Sequence, residues 1–322
     1  MPIVDMPLEE LRVYKGCNPR PRDFDEFWDK SVAEMEEQMN KLDLVIEKSD
    51  FEAPNVECYD MYFNGTRNGR VYSKLLKPKN AKGKLPAVLL FHGYTGAGPE
   101  FAHCLGLAGQ GYVVAAMDCR GQGGRSYDLN PVKGNTFRGH IIRGIDDIPE
   151  NMYFRNVYLD TAILARIVMG LDYVDETRVC SRGGSQGGAL TLACAALTPM
   201  LKLAVADYPF LCDYKRVWEM DIPTSPYIEI RDYFRAFDPN HQREEEIFTR
   251  LGYIDIQYLA PRIKAEVLMQ TGLMDNVCPP STQFAAYNKI SSKKSVLIYH
   301  DFGHEGLKNG ETNAVSKIFS TL

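Results

Sequence analysis

The feature that most restricts the fold of this chain is a glycine-flanked serine between two apolar segments. Arg178–Ser181 leads into Gly183–Gly187, which reads Gly-Gly-Ser-Gln-Gly, and the apolar run Ala189–Leu197 follows. A G-x-S-x-G pattern between a strand and a helix predicts a tight turn that lifts Ser185 Oγ off the carboxyl edge of a sheet. The positive end of the helix would then face the serine. The pattern alone is weak, and a plain strand–helix turn is the alternative reading.

Apolar runs and helical patterns alternate from Pro86 onward, which predicts an α/β fold with a doubly wound, mostly parallel sheet. The strands are continuously apolar, as a sheet covered on both faces requires. The predicted strands are Ala87–Phe91, Tyr112–Met117, Arg178–Ser181, Leu203–Asp207, Glu266–Thr271 and Val296–His300. The predicted helices are Tyr153–Leu171, Ala189–Leu197 and Thr312–Leu322.

We interpret residues 1–322 as one domain. Two of its segments do not follow the alternation of strands and helices. Residues 1–85 predict an N-terminal extension, in which a helix capped by Asp23 and Glu26 precedes two strands, Val56–Phe63 and Val71–Leu76. Residues 211–258 are rich in aromatic and charged residues and too long for a simple connector. We therefore expect an inserted cap or interface segment there.

Charge and composition exclude several kinds of partner. The net charge is −5 at pH 7, and the lysines and arginines are not clustered. Nucleic acids and anionic membranes are bound mainly through clustered cations, so we expect neither as a partner. The eight cysteines include no C-x-x-C pair, which indicates reduced thiols. The chain shows neither a signal-peptide pattern nor a membrane-length apolar window, and we expect a cytoplasmic protein.

A serine hydroxyl needs a base to become a nucleophile, and in an α/β-hydrolase the acid and the histidine follow the serine in that order. The histidines after Ser185 are His241, His300 and His304. His241 lies in the inserted segment, and His300 falls at the end of the last predicted strand, where we expect it to pack against the body of the protein. His304 follows on a glycine-containing loop, so position favours His304 as the base.

The acid is expected on the loop after the preceding strand, where Asp275 stands. Its role would be to hold the tautomer of His304 and to stabilise the imidazolium that forms during attack. Asp301 is the competing candidate, but it lies only three residues from His304 on the same loop. An ordinary turn aspartate is the alternative reading of Asp275.

An oxyanion hole needs two backbone N–H groups that point at the developing charge. The first is expected from Gln186, directly after the serine. The second should come from the loop after Ala87–Phe91, and we assign it to Tyr94. His92, on the same loop, is interpreted as a packing residue.

With these motifs the chain resembles the acetyl xylan esterase/cephalosporin C deacetylase family, carbohydrate esterase family seven. The similarity covers nearly the whole chain, including the helix that contains Phe24, Phe27 and Trp28. The resemblance implies that Ser185, Asp275 and His304 are the nucleophile, acid and base. These are the same residues that chain order and position after the predicted strands favour. The motifs that carry it are His92–Tyr94, Arg120–Gly123, Gly183–Gly188, Gly272–Thr282 and Gly303–Glu305.

The resemblance implies a substrate class and an assembly. It implies removal of acetyl groups from short O-acetylated sugars, such as xylo-oligosaccharides, and from cephalosporin-type esters, in the cytoplasm and without cofactor or metal. It also implies a ring-shaped homohexamer whose active sites face an inner chamber, with residues 211–258 as an interface extension. Arg120–Gln122 would then be a structural support beside the site.

The acyl group of the substrate needs a pocket beside the nucleophile. By position and by resemblance, Phe210, Pro226 and Val277 are candidates for its walls, and ordinary packing is the alternative. Two rival functions share the fold: a broad short-chain carboxylesterase or serine peptidase, and a non-catalytic α/β-hydrolase that acts as a binding module. Loss of a triad member would favour the binding module, and all three members are present.

Overall fold

The computed structural model describes residues 4–135, 137, 139–222 and 226–322, so residues 1–3 and residues 223–225 of the inserted segment lie outside the described part. The strands are β1 (Val45–Lys48), β2 (Val56–Asn64), β3 (Gly69–Pro78), β4 (Leu85–Phe91), β5 (Val113–Met117), β6 (Tyr127–Asp128), β7 (Val174–Gly184), β8 (Leu203–Asp207), β9 (Glu266–Gly272) and β10 (Lys294–Tyr299). The helices are α1 (Leu8–Leu11), α2 (Phe24–Met39), α3 (Phe101–Gly109), α4 (Tyr153–Met169), α5 (Gln186–Leu197), α6 (Tyr214–Glu219), α7 (Ile228–Phe237), α8 (Glu244–Gly252), α9 (Ile256–Leu259), α10 (Pro280–Tyr287) and α11 (Gly310–Thr321).

The strands form one sheet in the order β1-β2-β3-β5-β4-β7-β8-β9-β10, with β6 paired to β3. The strands from β5 to β10 in that order are parallel neighbours, whereas β1, β2 and β3 join antiparallel. The expected doubly wound sheet is therefore confirmed. The N-terminal extension contributes strands to this sheet, and does not form a separate layer.

The two faces of the sheet are covered by different helices because side chains alternate along each strand. In β4, Ala87 and Leu89 belong to the apolar core shared with α4 and α5, while Val88 belongs to the core shared with α3 and α11. All twelve residues of α5 are buried, as are most residues of α4. These two helices are therefore an inner layer that other elements cover.

The inserted segment supplies part of that cover. Tyr233, Phe234, Ile247 and Phe248 from α7 and α8 are buried in the same core as α4. The apolar sides of these helices stabilise the segment against the body of the protein. None of the helices in the described ranges is long and apolar enough to cross a membrane.

Local predictions fail where short-range signals compete with packing. Asp23 precedes α2 but makes no capping hydrogen bond; its φ of −97° and ψ of 16° are not the extended conformation that a side-chain cap needs. Its carboxylate instead accepts a hydrogen bond from Tyr253 Oη at 2.6 Å. The sequence pattern also did not predict β1, which is short and exposed, or α3, which contains Gly106 and Gly109.

Candidate active site

The turn between β7 and α5 holds Ser185 in a strained conformation. Ser185 has φ 58° and ψ −120°, which is rare for a residue with a side chain. A Cβ on Gly187 would lie 2.1 Å from Phe91 O, and one on Gly183 would lie 2.6 Å from the same atom. Both positions therefore require glycine. Ser185 N donates to Asp207 O at 2.9 Å, which ties the turn to β8.

Three of the predicted site residues meet in one hydrogen-bonded chain. His304 Nε2 lies 3.0 Å from Ser185 Oγ, and His304 Nδ1 lies 2.8 Å from Asp275 Oδ2. Asp275 is fully buried, and its other oxygen accepts from Val277 N at 2.9 Å and Cys278 N at 2.8 Å. An Nδ1–H that donates to the carboxylate leaves the Nε2 lone pair free to accept the serine proton. The arrangement can perform nucleophilic acyl transfer.

The other candidate histidines lie elsewhere. His241 packs its ring against Trp218 and Phe234 in the inserted segment. His300 follows the end of β10 and is exposed, so the expectation that it packs inside is wrong. The strand ends one residue earlier than predicted, which leaves His300 in a turn. His92 is buried, and its Nε2 accepts from Cys119 N at 2.9 Å, as expected for a packing residue.

The two predicted oxyanion donors lie on adjacent segments. Gln186 is the first residue of α5, so its backbone N–H has no partner within the helix. Its side chain Nε2 lies 3.4 Å from Gly93 O, which joins the start of α5 to the loop that contains Tyr94. That the Tyr94 and Gln186 amides bind one substrate oxygen together stays a prediction.

Gln186 is also held by the Arg-Gly-Gln motif. Gln122 Nε2 donates to Gln186 Oε1 at 2.8 Å and to Tyr153 Oη at 3.0 Å. Arg120 is fully buried and forms a bidentate pair with Asp160 of α4, at 2.7 and 2.6 Å. The motif therefore links the residue after the nucleophile to α4, in agreement with its interpretation as structural support.

Sequence reasoning missed Glu229, which α7 brings from the inserted segment to Tyr94. The Tyr94 hydroxyl donates to Glu229 Oε1, and Ile141 N donates to Glu229 Oε2 at 2.9 Å. His140 N donates in turn to Tyr94 Oη at 2.8 Å. Burial raises the pKa of Glu229 to about 7. A Cβ on Gly139 would lie 1.8 Å from the Glu229 carboxyl carbon, so the 139–141 loop closes tightly over this carboxylate.

A signal for Glu229 existed in the helical spacing. Positions 229, 230, 233 and 234 share one side of a helix, and that side is buried. A lone carboxylate among Ile230, Tyr233 and Phe234 indicates a group that must find hydrogen-bond donors inside the protein. The spacing does not reveal which donors those are.

Each of the three candidate wall residues of the acyl pocket makes a backbone hydrogen bond to a residue described above. Phe210 is fully buried, its N–H donates to Ser185 O at 3.0 Å, and its ring centre lies 5.7 Å from that of Tyr94. Val277 is half-buried and contacts Asp275 through its N–H. Pro226 is buried, and its carbonyl accepts from Glu229 N at 3.2 Å. Their contact with an acyl group stays a prediction.

Comparisons with known proteins point to one family. The family model described as acetyl xylan esterase (AXE1) matches residues 1–322. Acetyl xylan esterase 1 from Thermoanaerobacterium sp. JW/SL YS485 is 51% identical, with a TM-score of 0.96, over 98% of this chain and 99% of that one. The acetyl xylan esterase from Paenibacillus sp. R4 is 37% identical, with a TM-score of 0.93, over 98% of this chain and 100% of that one.

More distant relatives extend the comparison. The acetyl esterase Axe7A of Xylanibacter ruminicola is 30% identical over 297 residues, which are 88% of this chain and 63% of that protein. This chain therefore spans less than two thirds of that relative. A cold-adapted esterase from an Arctic intertidal metagenomic library is 15% identical with a TM-score of 0.58, over 86% of this chain and 99% of that one. A likeness at that identity concerns the fold alone, and it confirms the expected α/β-hydrolase fold.

Proposed function

The chain belongs to the acetyl xylan esterase family, and from this we propose that it is a serine esterase that removes acetyl groups from short O-acetylated sugars. The observation that carries the proposal is the hydrogen-bonded chain Ser185–His304–Asp275 at the carboxyl edge of the sheet. Acetylated xylo-oligosaccharides are the proposed natural class, and cephalosporin C-like acetyl esters are a second class with the same acyl group.

Acylation begins when Ser185 Oγ attacks the acetyl carbonyl carbon while His304 Nε2 takes the serine proton. The carbonyl oxygen becomes an oxyanion and accepts hydrogen bonds from the Tyr94 and Gln186 amides. Asp275, held by two backbone amides, stabilises the imidazolium. The C–O bond to the sugar then breaks, and the sugar oxygen takes the proton from His304. The products are the free sugar hydroxyl and acetyl-Ser185.

Deacylation repeats the sequence with water. His304 Nε2 removes a proton from water as the hydroxide oxygen attacks the acetyl carbon. The second tetrahedral intermediate collapses, the bond to Ser185 Oγ breaks, and the serine recovers its proton from His304. Acetate leaves, and the enzyme returns to its starting protonation state.

A small acyl pocket is consistent with the residues around Ser185. Phe210 is fully buried and packs against Tyr227, with ring centres 4.5 Å apart. A longer acyl chain would have to displace these rings, and overpacking of this kind typically costs about 1–3 kcal/mol. The proposal therefore includes a preference for acetyl over butyryl esters. A homohexameric assembly and a cytoplasmic location belong to the same proposal.

The test is a series of acetyl, propionyl, butyryl and octanoyl esters of one chromogenic alcohol, assayed with the wild type and with Ser185→Ala. We expect the rate to fall steeply with acyl length, and Ser185→Ala to lower kcat by about 10³–10⁶. A phosphonylating probe should label Ser185. Equal rates on acetyl and octanoyl esters would identify a broad carboxylesterase, and cleavage of peptide amides would identify a peptidase. Absence of both turnover and labelling would identify a binding module.

A further inference from the structure

Cys278 adds a third possible metal ligand to two members of the triad. One ligand atom each from Asp275, Cys278 and His304 lie within 4.8 Å of one another. Asp275 and Cys278 are fully buried, and the side chain of His304 is 20% exposed. Nothing in the acyl-transfer mechanism uses the Cys278 thiol.

We propose that Asp275, Cys278 and His304 form an inhibitory binding site for a thiophilic divalent cation of the Zn²⁺ type. Thiolate sulfur, imidazole nitrogen and carboxylate oxygen are the three ligand types that Zn²⁺ takes in proteins. Zinc–ligand bonds of about 2.0–2.3 Å place the ligands of a tetrahedral site about 3.3–3.8 Å apart. To hold the ion, His304 Nδ1 and Asp275 Oδ2, which are 2.8 Å apart, must separate by about 0.5 Å, and any pair near the 4.8 Å limit must close by about 1 Å. Its inhibitory effect rests on the proposed function.

Binding would stop the chemistry by changing the tautomer of His304. The ion takes the place of the proton between His304 Nδ1 and Asp275 Oδ2, and that proton moves to Nε2. Nε2 then has no lone pair with which to accept the Ser185 proton. The thiol of Cys278 loses its proton to solvent, so one proton is released for each ion bound. The ion, the thiolate and the carboxylate together carry no net charge.

The surroundings of the cluster favour this ligand set. Asp275 Oδ1 is occupied by the Val277 and Cys278 amides, so Oδ2, which faces His304 Nδ1, is the oxygen that would bind the ion. Gln283 Nε2 lies 2.6 Å from Cys278 O and 3.5 Å from Asp275 Oδ2. Gln283 Oε1 is buried and has no hydrogen-bond partner in the described part of the chain. A water molecule on the ion could donate to that oxygen.

The thiol makes the site selective. A bound cation of the Zn²⁺ type stabilises the Cys278 thiolate directly. Mg²⁺ and Ca²⁺ prefer oxygen ligands and bind a thiolate poorly. We therefore expect Zn²⁺ to inhibit and Mg²⁺ to have no effect.

The first test is a titration of the chelator-treated enzyme with Zn²⁺, with hydrolysis of an acetyl ester as the readout. The metal-free rate tests the proposed function separately. We expect Zn²⁺ to inhibit and chelator to restore the rate. Cys278→Ser and Cys278→Ala, each compared with its own metal-free rate, should raise the inhibitory Zn²⁺ concentration at least tenfold. Cys17→Ser, which removes an exposed thiol 3.7 Å from Glu219, is the matched control and should not change it.

The second test needs no turnover. Co²⁺ added to the Ser185→Ala protein should produce a thiolate-to-cobalt charge-transfer band, which Zn²⁺ displaces. The band should disappear with Cys278→Ser and persist with Cys17→Ser. The proposal is overturned if the band persists without Cys278, if it depends on Cys17, or if neither metal binds. It is equally overturned if Zn²⁺ inhibits the Cys278 variants as strongly as the wild type.

Discussion

The substitution Glu229→Gln separates the electrostatic cost of a buried carboxylate from its value as a hydrogen-bond acceptor. Glu229 is 5% exposed, and burial raises its pKa from the usual 4.5 to about 7. The ionised form is therefore disfavoured in the folded protein. Ionisation of Glu229 therefore lowers the free energy of unfolding. This loss of stability is absent below pH 4.5, grows as the pH rises, and is complete above pH 7. At 1.36 kcal/mol per pKa unit it reaches about 3 kcal/mol.

Glutamine cannot ionise, so the variant escapes this cost but loses one acceptor. The carboxylate accepts from both the Tyr94 hydroxyl and Ile141 N, whereas an amide offers a single oxygen. A buried donor left without a partner costs about 1–3 kcal/mol at every pH. Glu229→Gln should thus be less stable than the wild type at pH 5. Between pH 5 and pH 8 it should gain about 2–3 kcal/mol relative to the wild type.

The assay is urea unfolding of both proteins at several pH values, because the difference between them cancels the titration of other buried groups. Glu26→Gln removes a charge from an exposed i,i+4 pair with Lys30 and controls for net charge. Exposed pairs contribute about 0–1 kcal/mol, so this control should stay close to the wild type. A free-energy difference between wild type and Glu229→Gln that is the same at pH 5 and pH 8 would refute the reasoning.

Three further predictions concern the site and its support. His304→Ala should remove ester hydrolysis because no base is left for Ser185, whereas His300→Ala should keep it, as the kcat/KM values of the two variants will show. Val277→Ala should raise butyryl turnover relative to acetyl turnover if the half-buried side chain limits the acyl pocket; an unchanged ratio of kcat/KM values would contradict this role. Asp160→Asn should destabilise the protein by about 3–5 kcal/mol, measured by urea unfolding, because it removes the bidentate carboxylate of the buried Arg120 guanidinium and leaves only Asp128, at 3.8 Å, as an acidic partner.

The sequence predicted the triad because its members occupy defined places along the chain. The carboxyl ends of parallel strands lie at one edge of the sheet, so residues directly after β7, β9 and β10 come together there. Ser185, Asp275 and His304 each follow one of these strands. The apolar runs identified the strands themselves. Chain order and strand position were therefore enough to bring the three residues together.

Prediction from the sequence was less accurate for the first and last residues of strands and helices, and for short strands and helices. The last strand ends at Tyr299, one residue before the prediction, which moves His300 from a packed position to an exposed turn. Asp23 was expected to cap α2, but a hydrogen bond to Tyr253 from a distant segment takes its carboxylate. Short-range sequence patterns do not determine where an exposed strand ends. They also do not show that a side chain from a distant segment, such as Tyr253, will bind the carboxylate of a predicted cap.

Contacts between segments far apart in the chain were decided only by the tertiary structure. Glu229 meets Tyr94 across 135 positions, Gln122 meets Gln186 across 64, and Cys278 meets His304 beside the nucleophile. Periodicity shows which side of a helix is buried, but it does not show which loop that side meets. The partner depends on how α7 of the inserted segment packs on the core shared with α4, and only the assembled three-dimensional packing determines that contact.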